Sequence, residues 1–159
     1  MLLISLEEQE IMSTYSQVFL HIVFSVQNRS SLIGYEWREQ LYKYMIAIIQ
    51  KHKHKVYTIG GTGDHVHILI SQNINHSIPN LMMELKRDST KWINQSNFLP
   101  HRFDWQEGYG TFSSSKSSLK TVIEYIKNQE EHHKKHTSFD EYKQLLDKYE
   151  IEYNDKYLY

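Results

Sequence analysis

The chain lacks cysteine and has few residues that interrupt regular structure. Its 159 residues include two prolines and six glycines. The absence of cysteine excludes disulfide bonds and thiolate zinc sites, and it agrees with a reducing compartment. The sequence has no apolar run long enough to span a membrane, and its first residues lack the basic flank of a secretory signal. We therefore expect a cytoplasmic protein with one hydrophobic core and no membrane partner.

A large net charge is also missing, but the charge is unevenly distributed. The whole chain carries a net charge of -1. Residues 1–12 have three acids and no bases, residues 137–159 have six acids and three lysines, and residues 13–136 have fifteen bases and ten acids. Local positive charge governs attraction to phosphate, so the basic middle of the chain is compatible with a nucleic-acid partner.

The same distribution divides the chain into three parts. Residues 1–12 show no structural pattern and are predicted to be a disordered or appended extension, and either Met1 or Met12 could be the natural start. Residues 13–150 are predicted to form a single domain. Residues 151–159 are predicted to be a C-terminal tail.

A histidine pair, His65 and His67, stands in a strand-like run after a glycine-rich segment. Successive side chains of a strand point to opposite faces, so the two histidines project together while the intervening apolar residues enter a core. Paired imidazoles on a strand can hold a divalent cation, but a half-buried strand with solvated histidines has the same pattern. A histidine-triad hydrolase needs a third histidine two positions further along, where Leu69 stands.

The hydrophobic pattern predicts an α+β fold in the order βαββαβ. Alternating apolar residues predict strands, and apolar residues at helical spacing predict helices. Ser77 is a candidate N-cap, with Pro79 in the tolerated first turn. The order is that of a ferredoxin-like or RRM-like antiparallel sheet with helices on one face and added C-terminal helices, one of which bears Tyr125. The predicted elements are strands at 17–26, 56–59, 65–70 and 109–114, and helices at 36–50, 77–93, 118–134 and 139–149.

Tyr125 and Gln129 lie four residues apart in the predicted third helix, so they share one flank of it. On their own, a boundary tyrosine and a solvated glutamine are the commoner explanation of such a pair. Two histidines leave a magnesium or manganese ion short of ligands, and an amide oxygen can supply one. A tyrosine hydroxyl is a weak nucleophile unless a nearby cation stabilises its phenolate form.

The chain resembles the single-tyrosine transposases of the HUH superfamily, of the insertion-sequence 200/605 type. The resemblance covers most of residues 13–150, and its strength comes from the order in which several short segments occur. Those segments are Tyr15-Ser16-Gln17-Val18-Phe19-Leu20-His21-Ile22-Val23-Phe24-Ser25, Asn28-Arg29, Gly61-Thr62-Gly63-Asp64-His65-Val66-His67-Ile68-Leu69, Trp105-Gln106-Glu107-Gly108-Tyr109-Gly110-Thr111-Phe112-Ser113, Tyr125-Ile126-Lys127-Asn128-Gln129-Glu130-Glu131-His132-His133 and Phe139-Asp140-Glu141-Tyr142.

The resemblance implies a chemistry and a set of roles. His65, His67 and Gln129 would bind a divalent metal, Mg²⁺ or else Mn²⁺, and Tyr125 would be the nucleophile. The implied activity is cleavage and rejoining of single-stranded DNA at insertion-element ends through a 5′-phosphotyrosine intermediate, with recognition of subterminal hairpins. It further implies a homodimer in a prokaryotic cell, associated with the nucleoid during action, whose active site is shared between subunits or formed within one.

Other residues are weaker candidates for contacts around this site. Asp64 could orient a histidine, and His21 and His132 could approach metal or DNA. Lys86, Arg87 and Lys127 are further candidates for DNA contact, although each also reads as an ordinary surface residue.

Two alternatives to an active transposase remain open. One is a non-catalytic RRM-like module that stacks single-stranded nucleic acid on its sheet. The other is a domesticated relative that keeps hairpin binding and has lost mobility, which the sequence alone does not separate from an active enzyme.

Overall fold

The computed structural model describes residues 14–158, which contain a four-stranded antiparallel sheet and five α-helices. The predicted extension at residues 1–12 lies outside the described residues. Three short 3₁₀ turns, at Gln27–Arg29, Lys116–Ser118 and Asp155–Tyr157, separate or follow the main elements. In chain order the main elements are β1 (Phe19–Ser25), α1 (Tyr35–Lys51), β2 (Lys55–Gly61), β3 (His65–Ser71), α2 (Ile78–Gln95), β4 (Gly110–Ser114), α3 (Leu119–Lys127), α4 (Gln129–His133) and α5 (Ser138–Lys148).

The sheet has the strand order β2-β3-β1-β4, with every neighbouring pair antiparallel. This arrangement confirms the predicted α+β fold and its βαββαβ order. The β2–β3 hairpin is also present as predicted, although β2 is longer than expected and includes Gly60 and Gly61. The register places Val23 opposite His67 and Ser25 opposite His65, so β1 and β3 present these side chains on one face.

The first face of the sheet packs against α1 and α2. Ile22, Phe24, Val66, Ile68 and Ile70 enter this core from the two central strands. Helix α2 begins at the predicted N-cap, where the Ser77 hydroxyl accepts a hydrogen bond from the backbone N–H of Asn80. The buried helical residues that meet this face include Leu41, Met45 and Ile49 of α1 and Leu81, Leu85 and Ile93 of α2.

The second face of the sheet is covered by the C-terminal helices. Val23 and Phe112 pack on this face with Leu146 of α5 and with Leu158. Strand β1 is consequently buried on both sides, as its apolar residues at consecutive positions allow. In residues 14–158 helices therefore cover both faces of the sheet, and neither face is open for the base stacking of an RRM-like module.

The predicted third helix is not continuous. A single helix over 118–134 was expected, but the structure has α3 and α4 with Asn128 between them at φ -98° and ψ 22°. Asparagine tolerates such a break because its short polar side chain favours turn conformations over helix interiors. Tyr125 and Gln129 thus stand on either side of a helix break, and the expectation that they share one helix is wrong.

Arg29 connects β1, α5 and the C-terminal segment. Its guanidinium donates hydrogen bonds to the Ser25 and Ser138 hydroxyls, at 3.0 and 3.2 Å, and to the carbonyl of Leu158 at 2.9 Å. Within the predicted tail, Leu158 is buried and Tyr153 is partly buried against the domain, whereas the residues between them are exposed.

No helix in residues 14–158 is both long enough and apolar enough to cross a membrane.

Candidate metal and tyrosine site

The imidazoles of His65 and His67 project from β3 onto the second face of the sheet, where both are buried. Each has its Nδ1 atom next to a polar partner. Nδ1 of His65 lies 2.6 Å from Oδ1 of Asp64, and Nδ1 of His67 lies 2.8 Å from Nε2 of His21. Such outer partners fix the orientation of a metal-binding imidazole and leave Nε2 directed at the site.

Glu141 of α5 faces the Nε2 atoms of the histidine pair. Its Oε1 atom lies 2.7 Å from Nε2 of His67 and 3.5 Å from Nε2 of His65. The three donor atoms lie close enough together to hold one metal ion, and all three residues are buried. Two imidazole nitrogens and a carboxylate oxygen form a common donor set for divalent metals.

Gln129, the first residue of α4, completes this group of donors. Its amide oxygen lies 2.8 Å from Nε2 of His65 and 3.0 Å from Nε2 of His133. Although the helix breaks after Lys127, Gln129 is buried, and its amide oxygen faces the histidines. The structure therefore brings His65, His67 and Gln129 together and adds Glu141.

Tyr125 reaches the same site from the last turn of α3. Its hydroxyl donates a hydrogen bond to Oε2 of Glu141, and its ring centroid lies 5.8 Å from that of His67. The predicted nucleophile and the predicted metal ligands thus meet within one chain. A cavity of about 260 Å³ opens beside the phenol between α3 and α5, with His132 and Lys148 among its lining residues.

A glycine lets α3 come close to the sheet. Gly60 lies opposite His67 in the β2–β3 register. A Cβ atom at position 60 would lie 2.6 Å from the backbone oxygen of Ile126, which is too close for a real contact. The missing side chain of Gly60 is therefore what lets the helix that carries Tyr125 pack directly over the histidine strand.

Two further histidines complete the site. Nε2 of His133 lies 3.2 Å from Oε2 of Glu141. Nε2 of His132 lies 3.2 Å from the same oxygen, but this buried nitrogen has no hydrogen-bond partner. Of the two, only His132 is a candidate site residue on sequence grounds.

Burial and hydrogen bonding set the charges in the site. Burial lowers the pKa of His67 to about 4, against the opposing effect of the Glu141 carboxylate. Burial, followed by the proximity of His67, lowers the pKa of His21 to about 3. Burial also acts to raise the pKa of Glu141, but hydrogen bonds from His133 and His67 outweigh it and lower that pKa. The site therefore contains an ionised carboxylate beside the neutral imidazoles of His21 and His67. Burial acts to lower the pKa of His133, but the hydrogen bond to Glu141 and the charge of that carboxylate outweigh burial and raise it.

The Tyr125 phenol is held in its protonated form. Burial and then the negative charge of Glu141 raise the pKa of Tyr125 above its ordinary value. Asp64, behind His65, is ionised: burial acts to raise its pKa, but hydrogen bonds from His65 and Ser138 lower it to about 2. An added cation would oppose the raised pKa of Tyr125, since positive charge stabilises phenolate.

Sequence reasoning missed Glu141 and His133. Glu141 lies 74 residues beyond His67, so only the docking of α5 brings the two together. A signal was present in the sequence, because Glu141 falls among the apolar positions of an amphipathic helix, where a carboxylate needs a partner. His133 carried no such signal beyond its place in the segment that follows Tyr125.

The basic residues predicted to contact DNA lie outside this cluster. Lys86 donates hydrogen bonds to the backbone carbonyls of Gln106 and Gly108, and burial lowers its pKa to about 8. Arg87 is exposed and pairs with Asp88 at 2.9 Å. Lys127 is exposed at the end of α3. Of these three basic side chains, Arg87 and Lys127 are therefore the ones exposed to solvent.

The structure has the four-stranded antiparallel sheet and the histidine pair beside a helix-borne tyrosine that the resemblance to single-tyrosine, HUH-type transposases implies. The model of the family described as "Transposase IS200 like" matches residues 14–129. The chain belongs to this IS200-like transposase family, and its membership supports a transposase function.

Two solved structures share the fold. One is a protein assigned as a transposase of Deinococcus radiodurans R1, with a TM-score of 0.59 and 20% sequence identity over 74% of this chain and 94% of that chain. The other is a REP-associated tyrosine transposase bound to a REP hairpin, with a TM-score of 0.59 and 14% identity over 76% of this chain and 71% of that chain. No curated protein matches the sequence.

Proposed function

We propose that this transposase cleaves and rejoins single-stranded DNA through a covalent bond between Tyr125 and a 5′ phosphate. The observation that carries the proposal is the convergence of Tyr125, His65 and His67 on one carboxylate, Glu141, within a single chain, with the amide oxygen of Gln129 2.8 Å from Nε2 of His65. Membership of a transposase family agrees with this chemistry. Phosphoryl transfer to a tyrosine requires a positioned phenol and positive charge at the phosphate, and these residues can supply both.

The donors fit a divalent metal ion. His65 and His67 offer Nε2, Gln129 offers its amide oxygen, and Glu141 offers Oε1, so two nitrogens and two oxygens face one point. Mg²⁺ or Mn²⁺ accepts such oxygen donors, and imidazole favours the transition metal. When bound, the ion would polarise the scissile phosphate and neutralise charge that develops on it.

The chain's own residues would position the reacting groups. Asp64 and His21 orient the two imidazoles, and Glu141 holds the Tyr125 proton through Oε2. In the cleavage step a bond forms between the Tyr125 oxygen and phosphorus while the bond from phosphorus to the 3′ oxygen breaks. The phenol gives up its proton, and the departing 3′ oxygen gains one. Attack by another 3′-hydroxyl on the phosphotyrosine rejoins DNA and returns the proton to Tyr125.

DNA hairpins are the proposed recognition element. The solved structure of a REP-associated tyrosine transposase holds a REP hairpin, and its fold agrees with that of this chain. The exposed cations of the basic region, such as Arg87 and Lys127, would contribute phosphate contacts. We further propose a homodimer, as the resemblance implies, because two tyrosines suffice to process two element ends.

The test is the capture of a covalent adduct. The protein is incubated with a hairpin-bearing single strand and Mg²⁺ or Mn²⁺, and a DNA-linked band is sought on a denaturing gel. Tyr125→Phe should abolish the band, and His67→Ala should weaken it at least tenfold through loss of metal affinity. Tyr149→Phe is the matched control, since Tyr149 lines the same cavity but bonds Ser113 at 2.8 Å instead of Glu141. Full cleavage by both site variants would refute the proposal.

A further inference from the structure

His132 and His133 form a second group of donors beside the histidine pair of β3. Their Nε2 atoms each lie 3.2 Å from Oε2 of Glu141, and the three donor atoms lie within 4.8 Å of one another. The other oxygen of the same carboxylate, Oε1, faces His67 and His65. Glu141 therefore presents one oxygen to each pair of imidazoles, so the two groups share a single carboxylate.

The Nε2 atom of His132 needs a partner that the protein does not provide. This nitrogen is buried and has no hydrogen bond, although a carboxylate oxygen lies 3.2 Å away. Buried polar atoms in proteins almost always have a partner, and an unbonded nitrogen next to an anion is an exception that calls for one. A cation bound between them would satisfy both atoms, because it accepts the imidazole lone pair and is attracted to the carboxylate.

We propose that His132, His133 and Oε2 of Glu141 form a second divalent-cation position, bridged by Glu141 to the first. The inference rests on the proposed function in one respect, because it takes the metal site at His65 and His67 as the first position. The rings of the two groups are adjacent, since the centroids of His65 and His133 lie 4.4 Å apart. Two imidazole nitrogens and a carboxylate oxygen suit Mn²⁺ or Zn²⁺ better than Mg²⁺, which prefers oxygen donors.

The second position lies beside the proposed nucleophile. Oε2 of Glu141 accepts the Tyr125 hydrogen bond, and the ring centroids of Tyr125 and His132 lie 5.3 Å apart. Enzymes that hold two ions about 3.5–4 Å apart stabilise both the attacking and the departing oxygen of an in-line displacement. Here the second ion would face the attacking phenol oxygen, while the first would face the phosphate.

The experiment counts ions without measuring activity. The full chain, freed of metal, is dialysed against Mn²⁺, and bound metal is measured by elemental analysis while the spectrum is followed by electron paramagnetic resonance. We expect two ions per wild-type chain at saturation, with the exchange-coupled spectrum of a bridged pair. The double variant His132→Gln/His133→Gln should hold one ion and show the spectrum of isolated Mn²⁺. A single ion in the wild type, or two ions in the folded double variant, would overturn the proposal.

Control variants keep the result interpretable. His136→Gln alters an exposed neighbouring histidine whose ring centroid lies 5.1 Å from that of His132, and it should still bind two ions. Should the double variant fail to fold, His132→Gln alone removes an imidazole that makes no hydrogen bond through Nε2 and should weaken the second ion at least tenfold. Two ions without a DNA adduct would refute the proposed function only, whereas an adduct with one ion would refute the second position only.

Discussion

Glu141 is the residue on which the polar contacts of the site converge. His67, His133 and Tyr125 all bond to it, and His65 lies within ion-pair distance. Burial acts to lower the pKa of His133, but the hydrogen bond to Glu141 and the negative charge of Glu141 raise it. The same negative charge makes the Tyr125 phenol harder to ionise, because a neighbouring anion opposes the formation of phenolate.

Removal of the Glu141 charge should make Tyr125 easier to ionise. Burial and the Glu141 carboxylate together raise the pKa of Tyr125, so Glu141→Gln should lower that pKa by about 1 unit or more towards its ordinary value. The measurement is a pH titration of the ¹³Cζ resonances of labelled tyrosine, with Tyr125→Phe to assign the signal. An unchanged pKa in the Gln variant would show that burial alone accounts for the shift.

The site residues differ in how much the sequence reveals about them. His65 and His67 are two positions apart on one strand, so their common direction follows from strand geometry alone. Tyr125 and Gln129 were associated with them through the family resemblance, and the structure places all four together, while their catalytic roles stay predictions. The position of Glu141 among the apolar residues of α5 indicates that it needs a partner. Which partner it meets depends on how α5 docks, and no local pattern encodes that docking.

The elements of the fold were easier to predict than their ends. Strand β3 and helix α2 both have strong periodicity, and helix α2 also has a capping serine. Both elements lie where they were expected. The break between α3 and α4 was missed because neither proline nor glycine marks it. Asn128 alone does so, and asparagine is common enough in helices that its presence indicates little.

The close packing of α3 on β2 depends on Gly60. Gly60→Ala should displace α3, because the new Cβ atom would lie 2.6 Å from the Ile126 carbonyl oxygen. We expect a loss of about 1–3 kcal/mol in the free energy of unfolding, typical of overpacking, together with a weaker DNA adduct. Urea denaturation gives the first quantity and the denaturing gel the second.

Gly34→Ala provides a comparison within the same chain. The atom nearest a Cβ at position 34 is the carboxylate oxygen of Glu36, at 2.7 Å, which belongs to an exposed and flexible side chain. Its cost should therefore be smaller than that of Gly60→Ala. Equal stability of the Gly60 variant and the wild type would show that α3 does not need this close approach.

At the scale of the whole molecule, the two faces of the sheet have different tasks. The face that packs on α1 and α2 holds most of the hydrophobic core, and the opposite face holds the histidines under α3, α4 and α5. The predicted element order, βαββαβ, was enough to indicate a ferredoxin-like antiparallel sheet, since that order is typical of it. The sequence did not predict that helices cover the second face. Strand β1 is apolar at nearly every position, and this pattern fits a covered face as well as an open one.

The site is assembled within one chain, and this has a testable consequence for a dimer. Tyr125 bonds Glu141 of its own chain, which in turn contacts its own histidines. A mixture of Tyr125→Phe and His67→Ala subunits should therefore form no more than about a tenth of the wild-type adduct. The adduct is measured on a denaturing gel after the variants are mixed and given time to exchange subunits. Strong recovery of the adduct would instead demonstrate a site shared between subunits.

Stability should depend on pH through a histidine far from the site. His54 is buried at the start of β2 and bonds His76 at 2.9 Å, with His52 also nearby and Glu84 bonded to His52. Burial, with the proximity of His76 and His52, lowers the pKa of His54 from 6.5 to about 4. The unfolded chain binds this proton more readily, so the contribution is fully present above pH 6.5 and is lost as the pH falls towards 4.

The matched variant for this prediction is His54→Asn, whose amide oxygen can still accept the hydrogen bond that Asn73 N–H donates to Nδ1. Between pH 7 and pH 5 the wild type should lose about 1–2 kcal/mol more unfolding free energy than His54→Asn, as judged by urea denaturation at each pH. Parallel losses in the two proteins would mean that other groups dominate the acid sensitivity.

The hydrogen bonds of the polar cluster bear on the state of the protein without an ion. His65, His67, Gln129 and Glu141 all have protein partners already, whereas Nε2 of His132 has no hydrogen bond. Under the proposed function, folding and metal loading would therefore be separate events, and a chelator should abolish the DNA adduct without denaturing the protein. The apoprotein would then keep its native shape until a suitable ion becomes available in the cell.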